Sequence, residues 1–165
     1  MICESKMNAC IGRIAISLTI AACLLSAGAS LAQEIERPAR MKDLPQAVQA
    51  TVREQSRGAV VLGLTVEVEN GQTFYEASLR VRGRIRDVLI DANGNVVEVE
   101  EQVTLASLPP AAKSEIIRQA GKGRITMVES IMKNNAIVAY EAHVKTAGKI
   151  SEIKVDPSGK PLPPD

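Results

Sequence analysis

The sequence has no cysteine beyond position 23, and its 165 residues include a single histidine, His143. Without thiols, the chain downstream of that point needs no disulfide. It also holds no cysteine nucleophile and no cysteine-ligated zinc or iron–sulfur centre. His143 has no partner in a recognisable zinc or acid–base motif, so it reads as an ordinary strand residue. An excess of one charge sign is also lacking, with 20 Lys and Arg against 19 Asp and Glu. Phosphate neutralisation needs a clear basic excess on one face, which argues against nucleic acid as a partner.

The first 32 residues have the three-part layout of an export signal. Lys6 and Arg13 supply the positive start, and Ile14 to Leu25 form an apolar run interrupted only by Ser17 and Thr19. That run is shorter than the roughly 20 residues of a membrane span. Ser30-Leu31-Ala32 offers small residues where a signal peptidase reads, which sets the expected mature N-terminus at Gln33 and the location as periplasmic or secreted. Ile20-Ala21-Ala22-Cys23 is the alternative, a lipobox in which a lipidated Cys23 would anchor the protein to a membrane. Removing Lys6, Arg13 and Glu4 leaves 18 residues of each charge sign, a formal net charge of zero.

The remaining 133 residues repeat themselves. Val81-Arg82-Gly83-Arg84-Ile85-Arg86-Asp87-Val88-Leu89-Ile90-Asp91 returns 65 positions later as Thr146-Ala147-Gly148-Lys149-Ile150-Ser151-Glu152-Ile153-Lys154-Val155-Asp156. Tyr75-Glu76-Ala77 returns as Tyr140-Glu141-Ala142, Gly94 as Gly159, and Leu44-Pro45 as Leu108-Pro109. Such regularity implies two copies of one supersecondary unit, each too small to bury much surface alone. The expected division is a linker over 33–42, repeats over 43–103 and 104–162, and a tail over 163–165.

Each copy reads as one helix followed by strands, an α+β unit with a three- to four-stranded antiparallel sheet. Asp43 and Ser107 are the expected helix N-caps, and Leu44, Val48, Val52 and Leu108, Ala112, Ile116 give each helix an apolar stripe. Val60, Leu62, Leu64, Val66 and Val68 alternate as a strand, Asn70-Gly71 predicts a hairpin, and Tyr75, Ala77, Leu79 and Val81 form the next inward row. In the second copy Pro157, Pro161, Pro163 and Pro164 predict that a paired fourth strand is missing.

Leu-Pro-x-Ala at a helix start, a central Tyr-Glu-Ala strand, and Gly-[Arg/Lys]-Ile-x-[Asp/Glu]-[Val/Ile] leading to Asp-x-x-Gly resemble the PepSY-like domains. The resemblance spans nearly all of Leu44 to Leu162, twice. It implies a non-catalytic extracytoplasmic module of one helix on an antiparallel sheet. Related modules occur in inhibitory propeptides of metallopeptidases, and β-lactamase inhibitory protein has a similar tandem arrangement. No peptidase domain follows the repeats here, so any inhibition is expected to act on a separate protein.

Two residue groups are candidate partner-binding sites. Arg80, Arg82, Arg84 and Arg86 crowd one expected hairpin tip, either as a clamp for an anion or as a solvated tip. Phe74, Ile85 and Leu89 fall on the parity opposite to Tyr75, Leu79 and Val88, implying a second, partly apolar sheet face that either binds a partner or lies under the other repeat. Tyr75 and Tyr140 with Glu76 and Glu141 are either duplicated polar sites or core tyrosines with solvated neighbours, and Asp91-Ala92-Asn93-Gly94 reads as a turn. No residues point to a catalytic centre, a cofactor or a metal. The favoured reading is a module binding or inhibiting an unidentified envelope or secreted protein such as a peptidase. The alternative is a module that takes a small ligand, metal or anionic polymer at the basic tip.

Overall fold

Val48 and Val52, one helical turn apart and almost wholly buried, fix the inner face of α1 (Gln46–Gln55). Ala112 and Ile116 do the same for α2 (Pro110–Ala120). Neither helix begins where the sequence pattern suggested. Leu44 and Leu108 are extended, with ψ of 153° and 151°, and Pro45 and Pro109 occupy the N-cap positions without a side-chain cap. The proline ring disfavours helical geometry in the residue before it, which keeps Leu44, ahead of Pro45, and Leu108 and Pro109, ahead of Pro109 and Pro110, out of the helices. Asp43 instead accepts a hydrogen bond from Arg40 Nε at 2.6 Å, and Ser107 Oγ donates to the Thr104 carbonyl at 2.7 Å.

The computed structural model describes residues 35–69 and 71–163. The expected signal segment, the Cys23 alternative, the turn residue Asn70 and the last two residues lie outside them. The strands are β1 (Ile35–Pro38), β2 (Val60–Glu69), β3 (Gln72–Val81), β4 (Arg84–Asp91), β5 (Val96–Gln102), β6 (Arg124–Lys133), β7 (Ala136–Thr146), β8 (Lys149–Val155) and β9 (Pro161–Leu162). They form one sheet in chain order, antiparallel throughout. The architecture is α+β.

Three strand expectations change. β1 lies within the expected linker and pairs with β2. Pro161 does not abolish a fourth strand after β8, because β9 is an edge where a missing N–H costs no ladder bond. A bulge between Val61 and Gly63 interrupts the alternation of β2, leaving Val60, Val61 and Leu62 exposed while Val66 remains in the core.

Ladder register shows that both helices cover the same face. Leu79 pairs with Arg86, Arg86 with Glu101, Glu101 with Ser130, Ser130 with Tyr140 and Tyr140 with Val155, a single row across six strands. Leu79 packs in the cluster beneath α1, with Val66, Ala77, Val88, Ile90 and Val99. Tyr140 and Val155 pack beneath α2, with Val128, Ala142, Val144 and Ile153. Each fully buried aliphatic side chain contributes about 1.5–3 kcal/mol. No helix among the described residues is long and apolar enough to cross a membrane.

Candidate functional site

The β3–β4 hairpin closes on Arg82 and Gly83, both at positive φ, 51° and 85°. A two-residue turn pairs Val81 with Arg84 and Arg80 with Ile85, so even-numbered residues change face between the two strands. The four arginines are therefore not one cluster. Arg80 shares the second face with Ile85, Arg84 and Arg86 share the helix side with Val81 and Leu79, and Arg82 is in the turn itself. Arg82 and Arg84 instead line a cleft of about 490 Å³ with Arg57 and Gly58 from the end of α1, Val81 and Glu101. Arg57 is the member that the sequence pattern did not reveal, since it reaches the tip only through helix packing.

Phe74, Ile85 and Leu89 do lie on the second face, away from both helical clusters, and all three are half-buried. The β5–β6 ladder joins the two halves of the sheet edge to edge, and on this second face Ile131 and Ala139 are buried outside both helical clusters. The face is not uniformly apolar. Phe74 pairs with Glu67 and Asp91, Leu89 with Glu76 and Glu98, and the next row carries Asp87 opposite Glu100.

A group on the same face is assembled by register alone. Glu129 on β6 stands directly opposite Glu141 on β7, and His143, two residues further along β7, projects to the same side. His143 Nε2 donates toward Glu129 Oε2 at 3.2 Å and lies 3.4 Å from Glu141 Oε1. Lys154 Nζ sits 3.8 Å from the other oxygen of Glu141, Oε2. The bond to Glu129 and then that to Glu141 push the imidazole pKa up to about 10, outweighing the opposing effect of desolvation. His143 is thus a cation at neutral pH. Reading it as an ordinary strand residue missed this because Glu129 is 14 residues away and only the pairing of β6 with β7 unites them.

The tyrosines are core residues: Tyr140 belongs to the cluster under α2 and Tyr75 packs against that under α1. Glu76 and Glu141 point the other way, so no joint tyrosine–glutamate site forms. Asp91 accepts hydrogen bonds from the Asn93 and Asn95 backbone and from Asn95 Nδ2, which holds its carboxyl below the usual range and closes a turn.

No family model and no curated protein matches the chain. Solved structures match its fold. A suspected periplasmic protein from Bacteroides eggerthii superposes with a TM-score of 0.59 at 17% identity, over 73% of this chain and 86% of that one. A DUF2874 family protein from Bacteroides uniformis gives 0.56 at 19%, over 72% and 86%. A BLIP-like protein from Bacteroides fragilis gives 0.51 at 21%, over 72% and 83%. At these identities the likeness is one of fold.

Proposed function

We propose that the chain is an exported, non-catalytic binding module of two PepSY-like repeats, which presents the second face of its sheet to another envelope or secreted protein such as a peptidase. The observation that carries this reading is the asymmetry of the sheet. Both helices pack on one face, whereas the other displays Phe74, Ile85 and Leu89 in rows with carboxylates and no described helix lies over it. Apolar anchors set among charged residues match the mixed make-up of protein interfaces. The fold shared with a BLIP-like protein and with a suspected periplasmic protein supports an inhibitor-like role in the envelope. So do the expected cleavage before Gln33 and the internal 65-residue repeat. His143 supports the non-catalytic part, since an imidazole held near pKa 10 is a poor general base at neutral pH.

The test is crosslinking capture from envelope extract and culture fluid with the purified protein as bait, followed by titration of each captured peptidase. Stoichiometric loss of that activity, abolished by Phe74→Glu or Leu89→Glu at unchanged melting temperature, is the expected result. Capture that both variants retain would remove this face from the reading. A second reading rests on the cleft where Arg57, Arg82 and Arg84 converge, which suits an anionic ligand. It predicts salt-sensitive binding lost in Arg82→Glu with Arg84→Glu.

A further inference from the structure

We infer that Glu129, Glu141 and His143 form a site for one zinc-class divalent cation on the second face of the sheet. Among the described residues, these three bring one ligand atom each within 4.8 Å of one another. The spacing suits a specific geometry. Four donors arranged tetrahedrally at zinc–ligand distances of about 2.0–2.1 Å stand about 3.3 Å apart. His143 Nε2 lies 3.2 Å from Glu129 Oε2 and 3.4 Å from Glu141 Oε1. A cation placed among the three atoms takes the place of the His143 Nε2 proton, which leaves to solvent, and draws together donor atoms that already lie within 4.8 Å of one another.

The donor set selects the cation. One imidazole and two carboxylates leave a fourth position for water, as in open zinc sites. Calcium would require six to eight oxygen ligands, and magnesium a nearly regular octahedron, neither of which three donors with a nitrogen among them can approach. Two carboxylates also supply the negative charge that a dication requires.

The frame holding the donors is rigid. Glu129 and Glu141 are directly paired across β6 and β7, and Met127 pairs with His143 two residues along the same ladder. Lys154 occupies Oε2 of Glu141 and so leaves Oε1 turned toward His143. It acts as a positioning residue, as outer-shell partners of metal ligands do. The matching positions on β2 and β3 carry Thr65 opposite Glu76, with Ser78 two residues along, and Ser78 Oγ donates to Glu76 Oε1 at 3.2 Å. With a single carboxylate and no imidazole, that half of the sheet has no equivalent site. One such cation site follows among the described residues.

The experiment is a zinc titration of the chelator-stripped protein against a chromophoric competitor, run alongside NMR of the histidine ring. Because His143 is the only histidine, its signal reports this site alone, whatever the cysteines near the N-terminus do. Expected are one equivalent of zinc that moves the His143 ring signals, and affinity reduced at least about 10-fold in Glu129→Gln and in His143→Ala. Glu76→Gln should bind as the parent does, and excess calcium should not displace the zinc. Zinc binding that leaves the ring signals unmoved, or calcium binding at this site in preference to zinc, would overturn the inference. The ring signals of the unsubstituted protein decide the matter even if a variant fails to fold.

Discussion

The backbone carbonyl of Ala47 on α1 lies against Gly94 in the β4–β5 turn, so close that a β-carbon added to Gly94 would fall 2.9 Å from it. Thr51 Oγ1 closes the contact with a 2.6 Å hydrogen bond to the Gly94 carbonyl. The same relationship recurs between Ala111 on α2 and Gly159, with a corresponding approach of 2.7 Å. Both glycines also have φ near 87°, at 88° and 86°. Gly94→Ala and Gly159→Ala therefore meet backbone rather than a yielding side chain. Each should cost about 2–3 kcal/mol in urea unfolding, and a loss below about 0.5 kcal/mol would contradict the helix–turn contact.

His143 provides a pH signature. Its folded pKa of about 10 exceeds the unfolded value of about 6.5, so the stabilisation is complete below about pH 6.5 and fades as pH climbs to about 10. NMR of this single histidine should show no titration between about pH 5 and 8. His143→Gln should be less stable than the parent by about 3 kcal/mol at pH 6, and the two should converge above pH 10. A titration midpoint between 6 and 7 would show that the carboxylates do not clamp the ring.

The β7–β8 turn stores strain at Ala147, whose φ is 50°, beside Gly148 at 85°. Left-handed geometry is unfavourable for alanine, and a two-residue hairpin of this type prefers Asn-Gly. Ala147→Asn should raise stability by about 0.5–1 kcal/mol, measured as a higher denaturant midpoint at unchanged slope.

Adjacent isoleucines on α2 separate packing from propensity. Ile116 is completely buried, whereas Ile117 is 48% exposed. Ile116→Ala should cost about 2–5 kcal/mol and Ile117→Ala less than about 0.5, because only the first leaves a cavity. Equal losses at both positions would mean that the helix is rotated from the orientation described.

The sequence by itself determined the elements whose cause is local. The four-residue spacing of Val48 and Val52, and of Ala112 and Ile116, set the helical faces, while Tyr75, Ala77, Leu79 and Val81 set the inward row of β3. The parity of Phe74, Ile85 and Leu89 placed them on the second face, because alternation along a strand needs no knowledge of its neighbours. Both helix starts shifted by two residues, from Asp43 to Pro45 and from Ser107 to Pro109 at the N-cap, since proline constrains the residue before it as well as itself. Tertiary structure alone decided whatever depends on pairing between strands. The two-residue turn after Val81 sent Arg84 and Arg86 to the face opposite Arg80, and packing of the α1 end brought Arg57 to the cleft. The β5–β6 ladder made one sheet of the two halves, and the β6–β7 register placed His143 between Glu129 and Glu141. A ladder can slide by two residues without exposing either face, so side chains far apart in sequence meet only once register is fixed.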